Sequence, residues 1–208
     1  MPIPAGSETV SLDVITYQEG LDAITVSTGS TTINSDSLAL MITGVSRLLD
    51  RRFGPIVKRT ITGERHSGGN NTIVMYQRPI DSITTCTEWW FNTPHVLLEE
   101  IPGAQHTFQY SLDGRKGMLY RREVGWDMAF WPGRRNVIVD YVAGRFTDTE
   151  SVDQLFKEAA SITLASVWRP QFGMRGPDAG PPVASFALPN AAEEILSGEL
   201  LGDLAGIG

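Results

Sequence analysis

The sequence predicts an α+β fold with a small core of two main helices, a layer of β-hairpins and sheet, and a mobile C-terminal tail. Apolar residues recur at helical spacing in two segments, 38–53 and 152–169. Between them, residues 56–146 alternate in short runs separated by turn residues, which is typical of strands. After Arg175 the sequence becomes acidic and rich in proline and glycine, which indicates a linker and a tail.

The composition is that of a folded globular protein, with 41% hydrophobic and 20% charged residues in 208. The single cysteine, Cys86, cannot form an internal disulfide, and its place in an alternating run predicts a buried thiol. No apolar run approaches the ~20 residues that span a bilayer, and the N-terminus lacks the pattern of a signal peptide. The net charge of −7 argues against general nucleic-acid binding, which requires a basic surface.

The N-terminal segment, residues 1–34, carries one recognisable element. Residues 14–24 predict a strand that runs into a short helix. Thr16 and Glu19 have the spacing of a capping box, in which each side chain accepts a hydrogen bond from the other residue's backbone N–H.

The first main helix is predicted over 38–53. Ser35 or Asp36 caps its start, and the Gly54-Pro55 pair ends it. One face of this helix is apolar and should be buried; it consists of Leu38, Met41, Ile42, Val45, Leu48 and Leu49.

The sheet layer is predicted between the two helices. KRTITGERH (58–66) and TIVMYQRPI (72–80) form a hairpin with a glycine-rich tip, and SITTC, HVLLEEI, TFQYSL and MLYRR are further short strands. The last strand, NVIVDYVAGRF (136–146), should be covered on both faces, with Asp140 near its end. Arg121-Arg122 and Arg134-Arg135 are interpreted as solvated strand ends, or as contacts to an acidic partner.

The second helix is predicted to begin at a capping box, Thr147 to Glu150, and to stop at Pro170. These elements divide the chain into an N-terminal segment (1–34), a central domain (35–174) and a linker with an acidic tail (175–208). The tail from Gly176 onward carries a charge of −5, whereas the preceding residues carry −2.

No motif in the sequence predicts catalysis, a cofactor or a metal. His66, His95 and His106 do not have the spacing of a zinc site, and neither a P-loop nor a nucleophile elbow is present. A spatial Ser-His-Asp or Cys-His set stays open, because such triads are assembled by the fold. Trp89-Trp90-Phe91 cannot all face one core, so at least one should lie at the surface or an interface; the alternative is a strand covered on both sides.

Four stretches in a fixed order carry a family resemblance. They are the leucine-rich helix 37–54 ending in R-x-F-G, the apolar-Pro-apolar element within 72–83, the strand 136–146, and the alanine-rich helix 152–173. Together they resemble the phage head–tail connector, or head-completion adaptor, family over roughly residues 35–173. The sequence departs from the family pattern in lacking a proline at the start of the last helix and in a longer, more strand-rich middle region.

The resemblance implies a structural, non-enzymatic virion protein of the bacteriophage neck. Twelve copies would form a ring below the portal, extend the DNA channel used in genome ejection, and join the head to the next neck or tail protein. DNA would pass without specific binding, and the protein, made in the host cytoplasm, would not contact a membrane. On this interpretation, the subunit interface comprises His66, Gly68, Gly69, Asn70, Trp89 and Trp90.

The tail is predicted to bind a partner. Asn190 caps a short helix with Glu193 at the capping-box position. Its apolar face needs a groove, either on the portal or an adjacent subunit or, alternatively, on its own subunit. The partner-binding residues are Phe186, Leu188, Ile195, Leu196, Leu200, Leu201 and Leu204.

Two other functions remain open at this stage. Within the same class, the protein could be a neck stopper or a tail-completion protein. In a different class, it could be a small phage hydrolase with an unrecognised spatial triad. The hydrolase hypothesis requires a polar residue in the core that structure alone does not explain, and Asp140 is the candidate.

Overall fold

The computed structural model describes residues 11–28, 35–101, 103, 106–172 and 188–199. It confirms the predicted α+β class and divides the chain into two compact units. We call residues 1–57 and 146–200 the helical unit, and residues 58–145 the sheet unit. The domain predicted at 35–174 includes residues of both units, and it stays a prediction. In the described part of the chain, no helix has the length and apolar character needed to cross a membrane.

The helical unit contains α1 (Tyr17–Thr28), α2 (Ser35–Phe53), α3 (Gln154–Phe172) and α4 (Asn190–Ile195). The predicted capping box opens α1. The Thr16 N–H donates to Glu19 Oε2 at 2.7 Å, and the Glu19 N–H donates to Thr16 Oγ1 at 3.2 Å. Each side chain therefore satisfies a backbone donor that the first helical turn would leave unpaired.

The core of the helical unit is built on one stripe of α2. Leu49 and Phe53 are buried in it, and the Phe53 ring meets the Phe156 ring of α3 edge-on at 6.3 Å. The predicted face included Leu48, which the structure leaves half-buried. The buried stripe follows steps of three and four residues that keep to one side of the helix; it consists of Leu38, Ile42, Val45, Leu49 and Phe53.

Leu49→Ala is expected to lower the free energy of unfolding by about 2–5 kcal/mol, because it leaves a cavity at a fully buried position. Leu48→Ala is the matched control on the neighbouring, half-exposed position and should cost clearly less. Urea unfolding followed by circular dichroism measures both. Equal losses would show that the buried face of α2 is assigned incorrectly.

The start of α3 differs from the prediction. Asp148 and Ser151 form a turn before the helix, in which the Ser151 N–H donates to Asp148 Oδ1 at 2.8 Å. Asp153 caps the helix instead, because its Oδ1 accepts from the Leu155 N–H at 2.8 Å. At the other end, α3 continues past Pro170 to Phe172, within the one or two residues by which helix ends vary.

The sheet unit contains two sheets around one core. Its strands are β1 (Arg59–His66), β2 (Thr72–Val74), β3 (Ile80–Trp90), β4 (Thr93–Val96), β5 (Leu98–Glu99), β6 (Gln109–Asp113), β7 (Met118–Glu123), β8 (Trp126–Asp127) and β9 (Val137–Ala143). The first sheet has the order β1-β9-β3-β4 and the second β2-β7-β6-β5, with β8 also paired to β7. All pairs are antiparallel except β5 with β6.

The predicted hairpin of 58–66 with 72–80 is wrong. β1 pairs with β9 in the first sheet, and β2 pairs with β7 in the second. The glycine-rich segment between them is a connection from one sheet to the other. It is held by backbone hydrogen bonds, since Gly68 N donates to Gly133 O at 3.0 Å and Gly69 N donates to Phe130 O at 2.9 Å.

β9 is an inner strand of the first sheet, with partners on both sides. Val137, Val139 and Tyr141 are fully buried, as their shared face predicts, while the opposite face is half-buried. Cys86 on β3 lies in the same core, so the predicted buried thiol is confirmed. Burial raises the pKa of this thiol to about 12.

Asp140 lies in the middle of β9, not near its end as predicted. Its carboxylate accepts from the Gly63 N–H at 2.6 Å and from Thr85 Oγ1 at 2.7 Å. These two hydrogen bonds hold its pKa below the usual value. The Gly63 bond sits where the β1–β9 register shifts, so Asp140 stabilises a bulge in the sheet and its polarity has a structural explanation.

Candidate functional site

Two of the predicted interface segments meet at one place in the sheet unit. Asn136 joins them: its Nδ2 donates to Trp131 O at 2.7 Å and to Trp89 O at 3.3 Å, and its Oδ1 accepts from Gly68 N at 2.9 Å. The segments 66–70 and 89–91 are therefore both tied to the loop 130–136. Both segments were predicted at or near the contacts between subunits, and that placement stays a prediction.

Gly68 is required by close packing against this loop. A Cβ at Gly68 would lie 2.0 Å from the Trp131 carbonyl oxygen, far inside van der Waals contact. Any larger residue would push the loop away. The next two residues, Gly69 and Asn70, are exposed. The Phe130 N–H donates a hydrogen bond to the Asn70 carbonyl oxygen at 2.9 Å.

A stack of aromatic rings supports the same loop. Trp90 packs face to face with Trp131 at 4.8 Å between ring centroids and contacts His95 at 4.4 Å. Phe91 meets Trp131 edge-on at 5.8 Å. Trp89 and Trp90 are half-buried, whereas Phe91 is 86% exposed. The expectation that at least one of these adjacent aromatics lies at the surface is confirmed, and the exposed residue is Phe91.

The backbone is strained beside this stack. Phe91 and Arg135 have φ values of 53° and 55°, in the left-handed region that favours glycine. Among the described residues, Val124 is the other non-glycine residue with positive φ. Such strain costs about 1–3 kcal/mol each and concentrates where function requires it. We call Phe91, together with Trp131, Arg134 and Arg135 of the loop that it contacts, the rim.

A buried ion pair holds the backbone of Trp131, a residue of the rim. Glu88 and Arg121 have side chains that are 0% and 2% exposed, and Arg121 Nε donates to Glu88 Oε2 at 3.3 Å. The other Glu88 oxygen, Oε1, accepts from the Trp131 N–H. Arg121 also donates to the Gln109 carbonyl at 3.3 Å.

The interpretation of Arg121 as a solvated strand end is wrong, whereas its neighbour Arg122 does lie near the surface. Arg122 is partly exposed and pairs with Glu100 and Asp127. Strand alternation puts Arg121 on the face of buried Leu119, and it puts Glu88 on the face of buried Cys86. That alternation was the signal in the sequence that could have identified the pair.

His66 points into its own unit instead of outward. Its Nε2 lies 2.7 Å from Glu64 Oε1, and its ring packs on Tyr76 at 5.0 Å. Glu64 also accepts from Tyr141 OH at 2.5 Å and from the Tyr76 N–H at 2.9 Å. Burial raises the pKa of Glu64, but the hydrogen bonds from these neighbours outweigh it and hold the pKa below its usual value. Within the described residues, no cluster of three His, Cys, Asp or Glu could hold a metal ion.

The described part of the tail packs on the helical unit. Ala192 and Leu196 are fully buried in its core, and Leu188 and Ile195 pack against that core. This is the alternative arrangement, in which the tail folds back on its own subunit. Pro189, not Asn190, is the N-cap, and it makes no side-chain cap bond. The predicted partner-binding residues Phe186, Leu200, Leu201 and Leu204 lie outside the described residues.

The fold is shared with chains of phage-like particles. No protein-family model matches the chain, and no curated protein matches its sequence. Among solved structures, it matches a chain in the virion of a native gene transfer agent particle at 13% identity and a TM-score of 0.55. It also matches chains in the neck of the empty particle, computed with C6 symmetry (13%, 0.53), and of the native particle, computed with C12 symmetry (12%, 0.50). Each match covers 97% of both chains.

Proposed function

We propose that the chain is a structural subunit of the neck of a phage-like particle and forms a ring with further copies of itself. The observation that carries the proposal is the shared fold, which extends over 97% of this chain and of the neck chains it matches. Those necks were computed with six-fold and twelve-fold symmetry. The sequence resemblance to head–tail connector proteins points to the same role from different evidence.

The finer role we propose is that of the adaptor, a ring of twelve copies that binds the portal and presents a surface to the next neck or tail protein. In the sheet unit, the buried charged groups hold the fold together: Glu88 pairs with Arg121, and Glu64 accepts from Tyr141. Function on this proposal therefore depends on surfaces.

Electron microscopy of the purified protein, alone and mixed with the portal, tests this role. We expect rings of twelve subunits, coaxial with the portal when both are present. A single copy per neck would overturn the ring. A ring that binds the downstream neck protein but not the portal would replace the adaptor with a stopper or tail-completion protein.

Two truncations separate the structural and binding parts of the tail. Removing the residues after Glu199 deletes Leu200, Leu201 and Leu204 but keeps buried Leu196, so the Tm should stay unchanged while portal attachment is lost. Removing everything from Leu188 onward deletes the buried residues as well and should lower the Tm. Portal binding that survives the shorter truncation would show that the leucines after 199 are not the contact.

A further inference from the structure

We infer that neighbouring copies in the ring join head to tail, with the rim of one copy seated in an acidic groove on the helical unit of the next. The inference rests on the proposed ring and names its interface. A contact between two different surfaces, repeated by rotation, closes into a ring.

The rim has the chemistry of an interface anchor. Phe91 is 86% exposed and meets the partly exposed Trp131, and Arg134 and Arg135 are exposed further along the loop that carries Trp131. Aromatic residues and arginine are enriched at the energetic centres of protein interfaces. The rim is also rigid, because Asn136 and Glu88 fix the Trp131 backbone. A surface held in advance in its binding conformation loses less entropy on association.

Strain at the rim is the second, independent observation. Phe91 and Arg135 keep left-handed backbone conformations that glycine or asparagine would adopt at lower cost. The effect at Phe91 is to hold a large apolar ring in solvent at a tight turn between β3 and β4. Backbone strain concentrates at functional sites, so a strained position that keeps an aromatic ring exposed favours a docking role.

The groove lies on the helical unit and complements the rim. It is a cleft of about 540 Å³, enough for an aromatic side chain, lined among others by Asp13, Ile15, Tyr17, Asp148 and Glu150. The lining that the structure describes includes three carboxylates and no basic side chain. Buried Ile15 and Ile42 give it an apolar floor for the Phe91 ring.

The overall charges of the two units favour the same pairing. Residues 58–145 contain 11 Lys and Arg against nine Asp and Glu, a net charge of +2. Residues 1–57 and 146–200 contain six Lys and Arg against 14 Asp and Glu, a net charge of −8. Two helical units facing each other would repel, whereas a sheet unit facing a helical unit attracts. Basic and aromatic side chains also bind single-stranded nucleic acid, but the net charge of −7 favours the protein partner.

Charge reversal on each side tests the pairing in the full-length ring, alone or on the portal. The rim variant is Arg134→Glu with Arg135→Glu, and the groove variant is Asp13→Lys with Glu150→Lys. We expect each to weaken self-association at least ~10-fold, measured as ring mass by light scattering at low salt. The variant carrying all four changes, and an equimolar mixture of the two pairs, should form rings again. Restoration of rings excludes misfolding as the cause of the loss.

A second pair of variants isolates the aromatic contact. Phe91→Ala should weaken self-association without lowering the Tm, whereas Trp126→Ala, at a 77% exposed aromatic outside the rim, should change neither.

The outcomes distinguish this inference from the proposed function. Rings that survive both charge reversals overturn the interface and leave the ring intact, as does failure of the four-change variant to reassemble. A parent protein that forms no ring, alone or on the portal, overturns the proposed function itself. Loss of oligonucleotide binding in the rim variant, with association unchanged, would assign the rim to nucleic acid.

Discussion

Arg121→Ala is expected to lower the free energy of unfolding by about 3–5 kcal/mol, the largest effect of any single charged residue in the sheet unit. The reason is that Glu88 would be left as a buried, unpaired charge, because its side chain is 0% exposed and Arg121 is its ion-pair partner. Chemical denaturation followed by tryptophan fluorescence measures the loss, since Trp131 lies on the loop that Glu88 holds.

The matched control is Arg122→Ala on the next position of the same strand. Arg122 pairs with Glu100 and Asp127 near the surface, where solvent weakens ion pairs, so its removal should cost clearly less than that of Arg121. The double change Glu88→Gln with Arg121→Met should recover much of the loss, because it removes both charges and keeps an acceptor for the Trp131 N–H. Equal effects of Arg121→Ala and Arg122→Ala would contradict the buried pair.

The ion pair also links stability to the proposed interface. Glu88 divides its two oxygens between Arg121 and the Trp131 backbone, so one buried residue holds both the core and the rim. A variant at Glu88 should therefore disturb ring assembly as well as folding. Changes at Phe91, which is exposed, should affect assembly alone.

The elements predicted well are those whose evidence is local. The helix predicted at 38–53 follows from apolar residues at helical spacing, the Thr16–Glu19 cap from two residues, and the strand at 137–143 from alternation. The error at Leu48 arose because the predicted six-residue apolar stripe is wider than the face of α2 that is buried. Periodicity identifies a face but not its centre.

Strand pairing could not be predicted, because alternation specifies which side of a strand is buried and not which strand lies beside it. The nearest run in sequence was assigned to β1 as its partner, and the structure pairs β1 with β9 instead. The connection at 66–71 is held by Gly68 and Asn136, whose contacts span 68 residues. The local sequence does not indicate a contact between residues so far apart in the chain.

Some features of the candidate site follow from local sequence, and others depend on contacts that the local sequence does not indicate. The adjacent aromatics 89–91 predicted that at least one ring lies at the surface, and Phe91 is the exposed ring. Arg134 and Arg135 were interpreted as solvated ends with a possible acidic partner, and they lie exposed at the rim. The buried ion pair of Arg121 with Glu88 was missed. Arg121 and Arg122 are identical residues, and they differ only in the face of the strand to which each side chain points.

The second large effect is an acid sensitivity that Glu64 gives to the sheet unit. Its pKa is held below the usual value in the folded protein, because the hydrogen bonds from His66, Tyr141 and the Tyr76 N–H outweigh the effect of burial. A carboxyl whose pKa is lowered by folding stabilises the fold at pH values above its unfolded pKa. That contribution is lost as the pH falls through the lower, folded value. The parent should therefore lose this contribution to its stability as the pH falls below the ordinary glutamate pKa of about 4.5.

Glu64→Gln is expected to cost about 1–3 kcal/mol at neutral pH, because the amide replaces a buried charged acceptor of three hydrogen bonds. It should also make the fall in stability below about pH 4.5 shallower, since one carboxyl no longer takes up a proton on unfolding. Asp140→Asn, at a second carboxyl of lowered pKa, should flatten the same limb by its own contribution while keeping the hydrogen bonds to Glu64. Unfolding curves recorded from neutral pH to about pH 3 test this dependence of stability on pH. A Glu64→Gln profile parallel to the parent's would mean that Glu64 takes up no proton on unfolding in this range.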